Sequence, residues 1–364
     1  MLQGKVLRIL LASCLVCVFS LGFMPGVSLA AKTLKYSDHD PTGGLRTEFY
    51  RNVFLPEITK QTNGRIKFQD FWGGALLSAS EALDGISDGV ADMGMIFADF
   101  YPKRLMLHQG FKVFPAGPGE HEIMTKFYYS VYKEIPEFLA EFTRYNQRPL
   151  FATPGLPLAF MSSKPLPNLD ALKGNKWRAS SRWHLMFLKN AGATAVFIPW
   201  AEVYMSLQTG ALDGNLANYD GMHMTKQDEA APNILIARDI WNATPFVVTI
   251  NNDTWEGLSK EDQAGILKAV EICTARFGAE VYDQGIVEIF EAEKKAGQNP
   301  RFLTAEEVDA WVKKCSEVDA PGIWLQDLKE AKVKNAEGAV AEFIKMYEAA
   351  VAESRELSAK KAQK

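Results

Sequence analysis

Histidine is scarce in this chain: five in 364 residues, at positions 39, 108, 121, 184 and 223, and none are spaced as a metal-binding set. His121-Glu122 lacks the second histidine of a zinc-protease helix. There is no P-loop, and Gly43-Gly44 after the first apolar segment is only a turn, not a dinucleotide fingerprint. Carboxylates that alternate on a loop, such as Asp38 and Asp40, read as solvated rather than catalytic. An enzyme is therefore the weaker reading. Cysteine is also rare, with Cys14, Cys17, Cys273 and Cys315 too few for a disulfide framework. Excess positive charge is missing as well, since 40 basic residues face 44 acidic ones. That balance argues against nucleic acid and against an anionic membrane surface as partners.

One long apolar run is present, and it opens the chain. Lys5 and Arg8 precede an apolar stretch from Ile9 to Phe23, Pro25-Gly26 end it, and Ser28-Leu29-Ala30 place small residues at a cleavage site. This is the pattern of a secretory signal peptide cut after Ala30. The run is too short for the roughly 20 residues that span a bilayer. Without Lys5 and Arg8 the 40 basic residues fall to 38 against 44 acidic, a net of −6 for the exported chain. Cys273 and Cys315 remain, and either pair in an oxidising compartment or sit apart as small buried residues.

The rest alternates strand and helix patterns. Leu34–Ser37, Arg65–Phe71 and Ala91–Phe97 read as strands, separated by helices over about 45–62, kinked at Pro56, and from Ser78 or Ser80 to Gly89. Helix resumes from Glu120 to Phe142, before a strand at Arg148–Thr153. A second unit follows Pro154-Gly155. Its strands are Ala159–Ser162, Lys176–Ala179 and Thr194–Ile198, and its helices Arg182–Ala191 and Ala201–Thr209. Leu212–Ala217 reads as strand or turn, and Phe246–Asn251 as a strand. A long helix runs from Ser259 to about Ala296, and the helical C-terminal third is interrupted at Asn299-Pro300 and Pro321-Gly322. The alternation predicts an α/β fold with mostly parallel sheets. An internal echo points to two related lobes: Glu81, Gly89 and Asp92 are spaced as Glu202, Gly210 and Asp213.

Arg178 falls at the carboxyl end of a predicted strand, where open α/β sheets gather ligands. Its planar fork suits a carboxylate. Spacing alone favours a surface arginine paired with an aspartate. Trp200 reads as a pocket wall or a core residue. Asn215, Asn218 and Tyr219 follow the Asp213-Gly214 turn and either orient a ligand or serve the turn.

Three blocks then read together: Gly174-Asn175-Lys176-Trp177-Arg178, the run from Trp200 to Gly214 (W-A-E-V-Y-M-S-L-Q-T-G-A-L-D-G), and Ser87–Gly94 (S-D-G-V-A-D-M-G). With T-N-G-R-I-K-F at Thr62–Phe68 and W-E-G-L-S-K-E-D-Q at Trp255–Gln263, they resemble the solute-binding proteins of tripartite ATP-independent periplasmic (TRAP) transporters, DctP type. The resemblance covers most of the exported chain. It implies a two-lobed clamshell, each lobe a mostly parallel sheet flanked by helices, with a long lobe-spanning helix. It assigns residues 31–153 plus about 245–280 to lobe I, and 154–244 plus about 281–364, with the C-terminal helices, to lobe II. It implies a periplasmic protein without cofactor or catalytic residues, which captures a small organic acid and delivers it to TRAP membrane subunits.

The resemblance matches Arg178 to the family's carboxylate-binding arginine and Trp200 to an aromatic that packs on the ligand. Trp183 on the second lobe and Trp72, Phe97, Tyr101 and His39 on the first complete the candidate site. Two departures stand out. Leu158-Ala159-Phe160 carry no second basic residue, which favours a monocarboxylate, with an aromatic acid as one candidate. Ala217 stands where many members place a ligand-touching Asn, leaving Asn215 or Asn218 to substitute. The alternatives are a sensor that presents ligand to a receptor kinase, and an exported enzyme acting on an acidic substrate.

Overall fold

The computed structural model describes residues 31–240 and 244–362, so the expected signal peptide at 1–30 lies outside the described residues. In chain order the first lobe comprises β1 (Lys32–Ser37), α1 (Leu45–Phe49), α2 (Leu55–Gln61), β2 (Ile66–Phe71), α3 (Ala82–Ser87), β3 (Met93–Phe97), α4 (His121–Glu134), α5 (Pro136–Thr143) and β4 (Gln147–Thr153). The second comprises β5 (Leu158–Ser162), β6 (Lys176–Ala179), α6 (Arg182–Asn190), β7 (Thr194–Val196), α7 (Val203–Gln208), β8 (Gly214–Asn218), α8 (Tyr219–Met224), α9 (Gln227–Ala230) and β9 (Asn233–Ala237). The chain then returns through β10 (Phe246–Asn251) and α10 (Asn252–Glu256). It continues with α11 (Lys260–Phe277), α12 (Gln284–Lys295), β11 (Asn299–Phe302), α13 (Ala305–Cys315), α14 (Ala320–Glu330) and α15 (Ala336–Ala362).

Two sheets result, in the orders β2-β1-β3-β10-β4 and β11-β9-β5-β8-β6-β7. Continuous apolar runs form their centres: β10 and β5 are buried along their whole length. β2 lies at an edge, and most of its residues keep contact with solvent. Each sheet combines parallel pairs, β11 with β9 among them, with one strand that runs against its neighbours. β1 pairs with β3, and β6 with β7 and β8, in parallel, but β10 runs against β3 and β4, and β5 against β8 and β9. The reason is connectivity, because β5 and β10 each arrive from the other sheet. β4 leads directly into β5, and β9 returns into β10. Thr153 pairs with Phe246 and Leu158 with Ala237, so the two passages form an antiparallel ribbon joining the sheets.

The third passage is the long helix. α11, a wide π turn at Gly278–Asp283, and α12 follow without interruption. At 1.5 Å per residue the whole spans about 54 Å. α11 packs on α2 and β4 of the first lobe, and α12 on α8 and β11 of the second. Gly265 permits the close approach, since a Cβ there would meet the carbonyl oxygen of Gln61 at 2.8 Å. A second π turn, Tyr50–Phe54, separates α1 from α2 in the turn before Pro56. Proline cannot donate to the carbonyl four residues back, and the widened turn absorbs the mismatch expected as a kink. The two π turns are neighbours, with the Phe49 and Phe277 rings edge-on at 5.2 Å.

The C-terminal helices depart from the expected boundary. α13 stays on the second lobe, where Trp311 packs edge-on against Phe160 at 5.3 Å. α14 and α15 instead return to the first lobe. Trp324 donates its indole N–H to Met106 O at 2.9 Å, and Phe343 stacks on Phe138 at 5.4 Å. These large apolar anchors complete the aromatic cluster around Phe111, which a helix held on the second lobe could not cover. Cys273 and Cys315 are free and separately buried.

The sequence echo is structural. In the first lobe α3 ends at Gly89 (φ +74°), and Asp92 precedes β3; in the second α7 ends at Gly210 (φ +73°), and Asp213 precedes β8. Asp92 Oδ2 accepts from Lys35 N at 2.8 Å, and Asp213 Oδ2 accepts from Lys176 N at 2.8 Å. Asp92 N in turn donates to Lys35 O at 3.0 Å, and Asp213 N to Lys176 O at 2.9 Å. Each aspartate thus clasps a residue of the neighbouring parallel strand. Two residues further along those strands stand Ser37 and Arg178, in matching positions of the two lobes.

Candidate ligand-binding site

Arg178 is the third residue of β6, only 3% exposed. Its Nε donates to Ile198 O at 2.9 Å, and its Nη1 is buried with no hydrogen-bond partner among the described residues. The guanidinium lies 5.4 Å from the centre of the Trp200 ring, which the extended Pro199 and a short 3-10 turn hold beside it. Burial pushes the Arg178 pKa down to about 10, and the charge of Asp99 from the first lobe works in the opposite direction. Asp99 is not free to neutralise it: the carboxylate is in a buried ion pair with Lys112 and accepts from Thr244 Oγ1 at 2.9 Å.

Other buried polar atoms without partners among the described residues include Ser37 Oγ, on the last residue of β1, His39 Nδ1 just beyond it, Trp183 Nε1 at the start of α6, and Asn215 Oδ1, on the second residue of β8. Asn215 stands in register with Arg178, and its amide nitrogen donates to Gln227 Oε1 at 2.7 Å. A buried donor or acceptor left unpaired costs free energy, so such atoms call for an occupant.

Aromatic faces accompany these atoms on the first lobe. Phe97 ends β3 and stacks on Phe246 at 4.9 Å, with Lys112 Nζ 5.0 Å from its ring centre. Phe100 lies edge-on to His39 at 5.2 Å and is 48% exposed. Beneath them Arg46 is fixed by Asp38 Oδ2 and Asp40 Oδ2, both at 2.7 Å, and lies 4.9 Å from the Phe246 ring. Burial raises the Asp40 pKa, but the Arg46 guanidinium outweighs it and holds the carboxyl below its usual value.

Two residues of the expected set have their hydroxyls engaged within the protein. Tyr101 is buried, its hydroxyl donating to Ala79 O and accepting from Leu83 N, so it braces α3 instead of facing a ligand. Tyr219 is fully buried and donates its hydroxyl to Glu293 Oε2. Two others have their polar groups engaged locally. Asn218 donates to Asp220 Oδ1 at 2.7 Å, and the Trp72 indole donates to Asp70 while its ring lies 5.4 Å from Tyr36. Trp183 is fully buried, with the Arg182 guanidinium 4.0 Å from its ring centre; only its orphan N–H remains available.

The profile of the bacterial extracellular solute-binding proteins of family 7, DctP, matches residues 47–320. The chain belongs to this family. A solute-binding protein of Albidiferax ferrireducens is 24% identical over 309 residues, 80% of this chain and 86% of that one. The ectoine/5-hydroxyectoine-binding periplasmic protein UehA of Ruegeria pomeroyi is 25% identical over 308 residues, 81% and 86% of the two chains. The fold matches a TRAP solute-binding protein from Rhodoferax ferrireducens, solved with copurified benzoate, at a TM-score of 0.78 and 18% identity, over 90% of this chain and all of that one. The ectoine-binding protein of the Halomonas elongata TeaABC transporter matches at a TM-score of 0.73 and 18% identity, over 87% and 100%. The two-lobed architecture is therefore that of TRAP solute-binding proteins.

Sequence reasoning passed over several residues that the fold places near these candidates. Asp38 and Asp40, read as solvated turn acids, are the anchors of buried Arg46. The signal available was the arginine eight residues on, which only the fold brings back. Phe100, Phe246 and Ser37 were also passed over. A further motif went unread: Gly85-Ile86-Ser87-Asp88-Gly89 spells G-x-S-x-G. Ser87 closes helix α3 ahead of a strand, the reverse of the strand-to-helix elbow that exposes a nucleophile, so the match carries no hydrolase chemistry.

Proposed function

We propose that this family-7 protein is a periplasmic receptor that captures a small monocarboxylate with an apolar or aromatic body and delivers it to TRAP membrane subunits. The observation that carries the reading is Arg178 Nη1, buried and unpartnered. A guanidinium stays charged at ordinary pH, and burying it unpaired costs several kcal/mol by order of magnitude. A carboxylate relieves that cost through parallel charge-assisted hydrogen bonds. Among the described residues Arg178 lacks the carboxylate that Lys112 has in Asp99 and Arg46 in Asp38 and Asp40, and an organic acid supplies it. Trp200 and Phe97 supply flat faces for the body of the ligand, and Asn215, Trp183 and His39 supply polar atoms. Asn215 Oδ1 takes the role that the resemblance gives to an Asn at position 217, where this chain has Ala. Lobe closure on the acid follows from its differential affinity for the closed state. The reading includes removal of residues 1–30 on export and no covalent chemistry.

Relatives of the same fold bind comparable molecules: the Rhodoferax protein carries benzoate, and others carry orotic acid and D-glucuronate. A thermal-shift screen of aryl, indolyl and small hydrophilic acids tests the proposal. Monocarboxylates with apolar bodies should raise the melting temperature most. Stabilisation by hydrophilic acids alone would remove the aromatic part of the reading. Recovery of a chemically altered ligand by mass spectrometry after long incubation would sink the receptor assignment.

A further inference from the structure

We propose that His223, Asp228 and Glu293 form a binding site for a divalent transition-metal ion of the zinc class. None of the three serves the organic acid. His223 ends α8, Asp228 lies in α9, and Glu293 projects from α12, so the group joins two short helices to the long one. One ligand atom from each lies within 4.8 Å of the other two. His223 Nδ1 is 2.7 Å from Asp228 Oδ2 and 3.5 Å from Glu293 Oε1. A tetrahedral ion at roughly 2.0–2.2 Å from nitrogen and oxygen ligands sets those ligands roughly 3.4 Å apart, so small side-chain shifts admit it.

The decisive atom is Glu293 Oε1. The side chain is fully buried, Tyr219 satisfies Oε2, and Oε1 has no hydrogen-bond partner among the described residues. Nδ1 of His223 carries at most one proton and gives it to Asp228, the nearer acceptor. Glu293 Oε1 therefore keeps an unused lone pair aimed into the cluster. Charge points the same way: two carboxylates and a neutral imidazole around a dication sum to zero. One imidazole nitrogen with two carboxylates suits zinc and its neighbours better than magnesium or calcium. His223 is 34% exposed at its side chain, which leaves a route for the ion and room for a water as a further ligand. Tyr219 fits as the group that orients the Glu293 carboxylate.

Binding at Nδ1 leaves the ring proton on Nε2, and no electron transfer is involved. The test uses untagged protein purified from the periplasm and stripped with EDTA, titrated with zinc chloride by calorimetry. One equivalent should bind at pH 7. His223→Ala and Glu293→Gln should each weaken binding at least 30-fold. Glu293→Gln keeps the side-chain volume and an acceptor for Tyr219, and its melting curve shows whether it is folded. Cobalt gives a readout that needs no variant: the wild type should show the visible bands of a four- or five-coordinate ion. Absence of stoichiometric binding, unchanged affinity in both variants, or only the weak spectrum of octahedral cobalt would overturn the proposal.

Discussion

Arg178→Met offers the sharpest test, because it should move stability and affinity in opposite directions. Methionine keeps most of the apolar stem and removes a buried charge. In the unliganded protein the change loses one bond, from Nε to Ile198 O. A hydrogen bond from a charged donor contributes about 1.5–3 kcal/mol. Against that stands the relief of burying an unpaired guanidinium, several kcal/mol by order of magnitude. The melting temperature without ligand should therefore equal or exceed that of the wild type. In the complex the balance reverses. Removing one partner of a buried ion pair costs about 3–5 kcal/mol, which is a loss of affinity of about 150- to 4,000-fold. Differential scanning calorimetry without ligand, paired with titration of the tightest acid from the screen, reads both. An arginine with a purely structural role gives the opposite result: a lower melting temperature and an unchanged dissociation constant. That pair of outcomes would refute the reasoning.

Three further outcomes are expected. Asp40 has its pKa held below the usual 3.8 by Arg46, so the pair contributes stability above that value and loses it as pH falls through the lowered folded pKa. Asp40→Asn should flatten the acid limb of a plot of melting temperature against pH, and an unaltered limb counts against the pairing. Tyr219→Phe should leave ligand affinity unchanged while costing about 1–3 kcal/mol in chemical denaturation, because buried Glu293 Oε2 loses its donor. A large loss of ligand affinity would restore Tyr219 to the site. Gly278→Ala places a Cβ within 2.0 Å of the His121 ring, so the long helix or that ring must shift. Denaturation should show a loss of about 1–3 kcal/mol.

Much of the frame was legible because it obeys local rules. Lys176–Ala179 and Phe246–Asn251 were read to the residue, since short apolar runs bounded by turn residues leave little choice. The long helix was legible from its Ser259 cap, and Ser259 Oγ does accept from Asp262 N. Asn299–Phe302 was not, because Asn-Pro reads as an interruption. The segment is an edge strand, the one place in a sheet where proline costs little. The site was legible only in part. Arg178 and Trp200 were named from the motifs, but that Arg178 lacks a counter-ion depends on what the fold fails to place beside it. The use of the Tyr219 hydroxyl by Glu293, 74 residues away, is likewise a tertiary fact with no local trace. Tyr101 misled for the same reason.

The passages between lobes are tied to one another. Tyr50 in the first π turn shares a hydrogen bond of 2.6 Å with Thr153 at the end of β4. Tyr282 in the second π turn donates to Gly119 O at 3.0 Å, and Gly117 N donates to Asp239 O, just beyond β9, at 2.8 Å. None of these residues belongs to the proposed ligand site. On the proposed closure, a substitution such as Tyr50→Phe acts through the fraction of molecules poised to close. Apparent affinity scales with that fraction whatever the ligand. Seam variants should accordingly rescale the dissociation constants of all acids by one common factor, leaving their ranking intact, whereas cleft variants should reorder it.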